Sequence, residues 1–97
     1  MLTVNCHSSV TEWEKEQISK YPEIEFYIDK LKRLITGNPE KGIPYHYLSK
    51  SGKKVNYKKR HIPVDLFSSQ YAVGYKYVSA SYVYNSNYIY IFYISYS

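Results

Sequence analysis

The spacing of apolar residues changes once along the chain, from a helical period before residue 37 to a period of two after residue 53. That change constrains the fold class more than any other feature. Between residues 22 and 37, Ile24, Tyr27, Ile28, Leu31, Leu34 and Ile35 recur at intervals of three and four, which sets one apolar stripe along an amphipathic helix. Pro22 suits the first turn, Glu23 and Glu25 complement the N-terminal dipole, and Gly37 can supply a left-handed stop before Asn38 and Pro39. Upstream, Val10, Trp13, Gln17 and Ile18 make a weaker stripe, with Ser8, Ser9 or Thr11 as its cap and Thr11 and Glu14 at capping-box spacing. Before that helix, Leu2, Val4 and Cys6 alternate with Thr3 and Asn5, as in a short half-buried strand.

From Lys53 onward, "KKVNYKKRHIPVDLF", "YAVGYKYVSASY" and "NYIYIFYISYS" are rich in Tyr, Val and Ile and are separated by "SSQ" and "NSN", the texture of three antiparallel strands. Fourteen tyrosines in 97 residues fit a sheet built from tyrosine, which brings apolar area with a polar tip and favours strands. Val73, Tyr75 and Tyr77 share one face of the middle strand. Strict alternation in the last strand puts Ile89, Ile91 and Tyr93 on one face and Tyr88, Tyr90, Phe92, Ile94 and Tyr96 on the other, so it is apolar on both sides and belongs at the sheet centre. Pro63 marks an edge or a bulge in the first. The expected fold is α+β, ordered β-α-α-β-β-β, a four-stranded antiparallel sheet packed on a two-helix hairpin, with residues 1–97 as a single domain.

A single cysteine, Cys6, excludes an internal disulfide and a cysteine-based zinc site, which favours a reducing compartment. No metal and no cofactor is expected. No apolar run approaches the roughly 18 residues of a membrane span, and the first ten residues lack the pattern of a secretory signal. The expectation is therefore a soluble cytoplasmic protein with no membrane partner.

Charge is distributed unevenly. Residues 1–40 carry five Lys+Arg against seven Asp+Glu, whereas residues 41–97 carry eight against Asp65 alone. Lys53, Lys54, Lys58, Lys59, Arg60 and His61 crowd into one short strand around Val55, Tyr57 and Ile62. Such a field attracts phosphates or an acidic protein. The same lysines could instead protect a sheet edge against pairing with another chain.

The element order, the "TEW" segment opening the helical hairpin, "LITGNP" closing it, the basic strand, and "YAVGY" ahead of an isoleucine-rich strand together resemble the RelE/ParE superfamily of bacterial and archaeal toxins. The likeness covers nearly the whole chain. It implies a toxin of a type II toxin–antitoxin system held inactive by an acidic antitoxin, in the cytoplasm. RelE-like members cut messenger RNA in the ribosome without a metal, as mRNA interferases, whereas ParE-like members inhibit DNA gyrase; a catalytically inactive relative would bind only an antitoxin. Carried onto this chain, the resemblance implies Lys59, Arg60 and His61 as catalytic residues and Lys53, Lys54, Tyr57, Lys58, Tyr71 and Tyr96 as RNA contacts. Two features depart from the family pattern: Ala72 stands where an arginine is expected after Tyr71, and the terminal Arg/Tyr segment is missing.

RNA cleavage without a metal needs a base for the 2′-hydroxyl, a cation for the phosphorane and an acid for the leaving 5′-oxygen. On a strand Tyr57, Lys59 and His61 share one face and Lys58 and Arg60 the other. The first three could therefore converge on one phosphate, with His61 the group best suited to proton transfer near neutral pH. His46, between Tyr45 and Tyr47, is read as part of the connection between the helices and the basic strand.

Overall fold

The computed structural model describes residues 2–65 and 74–97. Strand β1 (Thr3–Cys6) leads to helix α1 (Ser8–Lys20), helix α2 (Ile24–Gly37), a 3-10 turn (Pro39–Lys41), β2 (Ile43–Leu48), β3 (Lys54–Pro63), β4 (Tyr77–Tyr84) and β5 (Tyr88–Tyr96). The strands form one sheet in the order β1-β5-β4-β3-β2. The α+β class and the order through the helices agree with expectation. The count and the pairing do not: β2 adds a fifth strand, and β1 runs parallel to β5, so the sheet is mixed. His46 accordingly lies within β2, opposite Asn56, and not in a connection.

Both helices pack on one face of the sheet. The expected stripe Ile24, Ile28, Leu31 and Ile35 is buried against Ile62, Val78, Ala80, Tyr82, Ile89, Ile91 and Ile94, with Val10 joining from α1. Each such aliphatic side chain contributes about 1.5–3 kcal/mol on burial. Two helix ends differ from the reading of the sequence. His7 caps α1, its Nδ1 accepting from the Ser9 N–H at 3.0 Å, because the helix starts one turn before Thr11. Gly37 is the last residue of α2 and is not left-handed; the chain leaves the helix through extended Asn38 (φ −152°), ahead of Pro39.

The two faces of β5 also differ from strict alternation. Ser81 pairs with Tyr93 and Tyr82 with Ile91, so Phe92 is an extra residue, a bulge. The bulge resets the phase: Ile89, Ile91 and Ile94 all enter the core while Tyr93 is 56% exposed on the opposite face. As expected, β5 is interior, between β1 and β4. Val73 of the middle strand lies outside the described residues, and β4 begins only at Tyr77, after left-handed Gly74.

Candidate nucleic-acid interface on the open sheet face

The basic strand has neighbours on both sides only at Lys58 and Lys59. Lys54–Lys59 pair with β2 and Lys58–Pro63 with β4, so the strand is flanked on one side or the other throughout. The outermost strand at this end of the sheet is β2. Ser49 N–H donates to Lys53 O at 2.8 Å, closing the hairpin. Alternation from that bond turns the backbone groups of Tyr45 and Tyr47 towards β3 and those of Pro44 and His46 outward. Pro44 thus removes a donor on the exposed side, a recognised way of blunting an edge. Pro63, at the end of β3, lies beyond the reach of β2.

Register divides the cationic run into two sets. Lys59 and His61, opposite Ser81 and Ser79, stand on the face that no described helix covers, as does Tyr57. Lys53 continues that alternation through the closing pair with Ser49. Lys54, Lys58 and Arg60 fall on the helix-bearing face. Arg60 sits opposite Ala80 and donates from Nη1 to the Leu34 carbonyl at 2.9 Å, with a longer contact to Asn38 O at 3.5 Å. It therefore packs on the C-terminal end of α2, adding a cationic donor to carbonyls that the Asn38 and Lys41 N–H groups also reach. Lys58 lies beside Gly42, Lys53 and Lys54 are exposed, and Tyr96 is wedged between Trp13 and Tyr75, each ring centroid 4.9 Å away. Burial pushes the Tyr96 phenol well above its usual range. Of the expected site residues, then, the fold gathers Tyr57, Lys59 and His61 on one face and sets Lys58 and Tyr96 apart from them, while Arg60 turns to the other face and shares only a recess at the strand margin with Lys59 and His61; Tyr71 lies outside the described residues, as does Ala72.

Of the gathered residues, Lys59 and His61 line a concavity of about 330 Å³ together with Ile43, Tyr45, Tyr77, Ser79 and Ser97. Ser79 on its floor is small and covered by its neighbours to 4% exposure, as is Ser81, two residues on, to 5%. His61 meets the Tyr77 ring edge-on at 5.0 Å, and Lys59 Nζ lies 5.8 Å from the centre of the Tyr45 ring. Lys59 forms no ion pair among the described residues, unlike Lys20, which pairs with Glu16, and Lys32, which pairs with Glu14. A second, shallower recess of about 140 Å³ opens beside it between Lys41, Gly42, Ile43, Lys59, Arg60 and His61, where β2 has ended and the His61 N–H, by alternation, faces outward. Anion-binding groups are thus clustered with no Asp or Glu side chain among the lining residues of either recess.

Beside the cations lies an aromatic surface. Tyr45 stacks on Tyr57 across the hairpin (5.7 Å, 19° between planes), Tyr47 tilts against the same ring at 5.9 Å, and Phe92 meets it edge-on at 5.4 Å. The Phe92 bulge aims that side chain at this face. The sequence concealed Tyr45, Tyr47 and Tyr77 as site residues, although Ile43, Tyr45 and Tyr47 do alternate. Among the described residues no cluster of His, Cys, Asp and Glu could hold a metal ion, and no helix is long and apolar enough to cross a membrane. The chain matches no family model, no curated protein and no solved structure in comparison.

Proposed function

We propose that the open face binds single-stranded RNA and that the protein is a RelE-like toxin, a metal-independent endoribonuclease acting on messenger RNA in the ribosome. The observation that carries the reading is the placement of Lys59 and His61 side by side in one concavity, with no Asp or Glu side chain lining it and with exposed tyrosine rings next to it. Cations with aromatic faces are what single strands bind, through phosphate and base respectively.

In this reading His61 takes the proton of the 2′-hydroxyl, the 2′-oxygen attacks phosphorus, and Lys59 stabilises the negative charge that grows on the phosphoryl oxygens. The bond from phosphorus to the 5′-oxygen breaks, leaving a 2′,3′-cyclic phosphate. Tyr77, against His61, is placed to return a proton to the departing 5′-oxygen. Arg60 takes no part. An acidic antitoxin that neutralises the face, the ribosome as the site of action and the cytoplasm as compartment belong to the same proposal.

The commitment of Arg60 to α2 favours one alternative, because it leaves Lys59 as the one full cation in the concavity. A ParE-like toxin, or an inactive relative that binds only its antitoxin, needs no second cation. Induced expression separates the readings. Growth arrest with cleaved transcripts, relieved by Lys59→Ala and His61→Ala through a loss of at least about 100-fold in cleavage rate, is the expected result. Arrest with intact transcripts selects the gyrase-type reading, and absence of any growth effect or RNA binding overturns both toxin readings.

A further inference from the structure

The β2–β3 hairpin projects beyond the rest of the sheet. β4 reaches β3 only from Lys58 onward, so Lys54–Tyr57 are flanked by β2 alone. The hairpin is nevertheless firmly closed. Gly52 adopts φ +83°, its N–H donates to Ser49 O at 2.8 Å, and Lys53 N–H donates to Ser49 Oγ at 3.1 Å. This is a three-residue loop whose left-handed position calls for glycine. An arm so constrained presents its side chains in fixed order and spends little entropy on binding.

Along the open face of that arm the order is cation, aromatic, cation. Lys59 stands at its base, Tyr45, Tyr57 and Tyr47 follow, and Lys53 stands at its tip with Lys50 in the loop beside it. At about 3.3 Å per residue, Lys53 and Lys59 lie roughly 20 Å apart, a span that calls for a strand of about four or more nucleotides, the lower end for sheet-borne single-strand sites. Tyr45 and Tyr47 keep 44% and 47% of their surface exposed. From Lys41 through Val64 the sequence contains no carboxylate.

We propose that the arm is an extended binding track for single-stranded RNA, with phosphates held at the concavity and at the hairpin tip and bases stacked on the tyrosines between. The track rests on the reading that the open face binds RNA, and it adds a footprint longer than the concavity. The probe is a series of 2′-O-methyl oligoribonucleotides of two, four, six and eight residues, which cannot be cleaved. Affinity should rise steeply from two to about six residues and then level off. Lys50→Gln with Lys53→Gln, both in or next to an exposed loop, should cost the six-residue oligomer about tenfold or more and the two-residue one much less. Its salt dependence should flatten by about 1.4 in log–log slope. Tyr45→Ala should also weaken the longer oligomer about tenfold while leaving that slope unchanged, and Tyr45→Phe should restore affinity. Equal affinity at all lengths, indifference to the tip lysines, or tighter binding of duplex RNA overturns the track. If His61→Ala still weakens the shortest oligomer, RNA binding at the concavity stands without it; if no oligomer binds, both readings fall together.

Discussion

Gly42→Ala tests the packing that holds β2, and with it Tyr45, against the site. Gly42 has an ordinary extended backbone (φ −60°, ψ 154°), so the added methyl costs nothing in conformation. The cost is in contact: a Cβ there would lie 2.5 Å from Tyr82 Oη, 2.9 Å from Lys58 Cβ and 3.2 Å from Tyr82 Cζ. Tyr82 cannot easily yield. It is fully buried, and its hydroxyl donates to the Pro39 carbonyl at 2.7 Å. Displacing the ring compresses the core, at about 1–3 kcal/mol, and breaks a buried hydrogen bond, at about 1–3 kcal/mol. Against this, the unfolded chain loses freedom, which returns about 0.4–1 kcal/mol. A net loss of about 1–5 kcal/mol should appear in urea titration as a lower midpoint with an unchanged m-value. Removing the hydroxyl tests the cause: in Tyr82→Phe with Gly42→Ala, the summed single losses should exceed the double loss by about 1 kcal/mol or more. A Gly42→Ala protein within about 0.5 kcal/mol of the parent, or strict additivity, would refute the reasoning.

Arg60→Ala should lower stability by about 1–3 kcal/mol through the lost Leu34 contact yet leave RNA affinity within about twofold, within ordinary surface-substitution effects. Filter binding beside chemical denaturation reads both, and a folded, fully stable Arg60→Ala protein that no longer binds RNA would place this residue in the site after all. Burial raises the Tyr82 and Tyr96 phenols above their unfolded values. Their contribution to stability is therefore complete below about pH 10, where an unfolded tyrosine ionises, and is lost as pH climbs from there through the folded values. Alkaline unfolding followed by circular dichroism should begin above about pH 10, and Tyr96→Phe should move it higher. Titration of every tyrosine near its ordinary value with the fold intact would contradict this.

The parts legible in the sequence are those where one signal sufficed. The α2 stripe had unambiguous spacing, and the division of Tyr57, Lys59 and His61 from Lys58 and Arg60 followed from alternation alone. β2 was hidden because Pro44 interrupts "IPYHYL" just after "GNPEKG", so its alternation of Ile43, Tyr45 and Tyr47 reads as loop. The bulge at Phe92 was hidden for a different reason. Tyrosine is tolerated on either face of a sheet, so "IYIFYISY" keeps an apparent period of two through a real change of phase. The hydrogen bond of Arg60 was not legible, because charge alone is visible in a sequence and the carbonyl it meets belongs to Leu34, 26 residues away. Cys6, whose thiol burial pushes up against a partial pull from Lys32, sits at the end of β1 next to that helix and takes no part in the site.

The parallel pairing of Thr3–Cys6 with Tyr88–Ile91 bears on how the molecule is made. A ribosome releases the first of these segments long before the second, and loop closure across some eighty residues is slow. Until then the opening strand has no seat and the hairpin of helices lacks half of its floor. A newly made chain must therefore pass through a stage with apolar helix faces uncovered, a period in which a chaperone or a binding partner could take hold of it first.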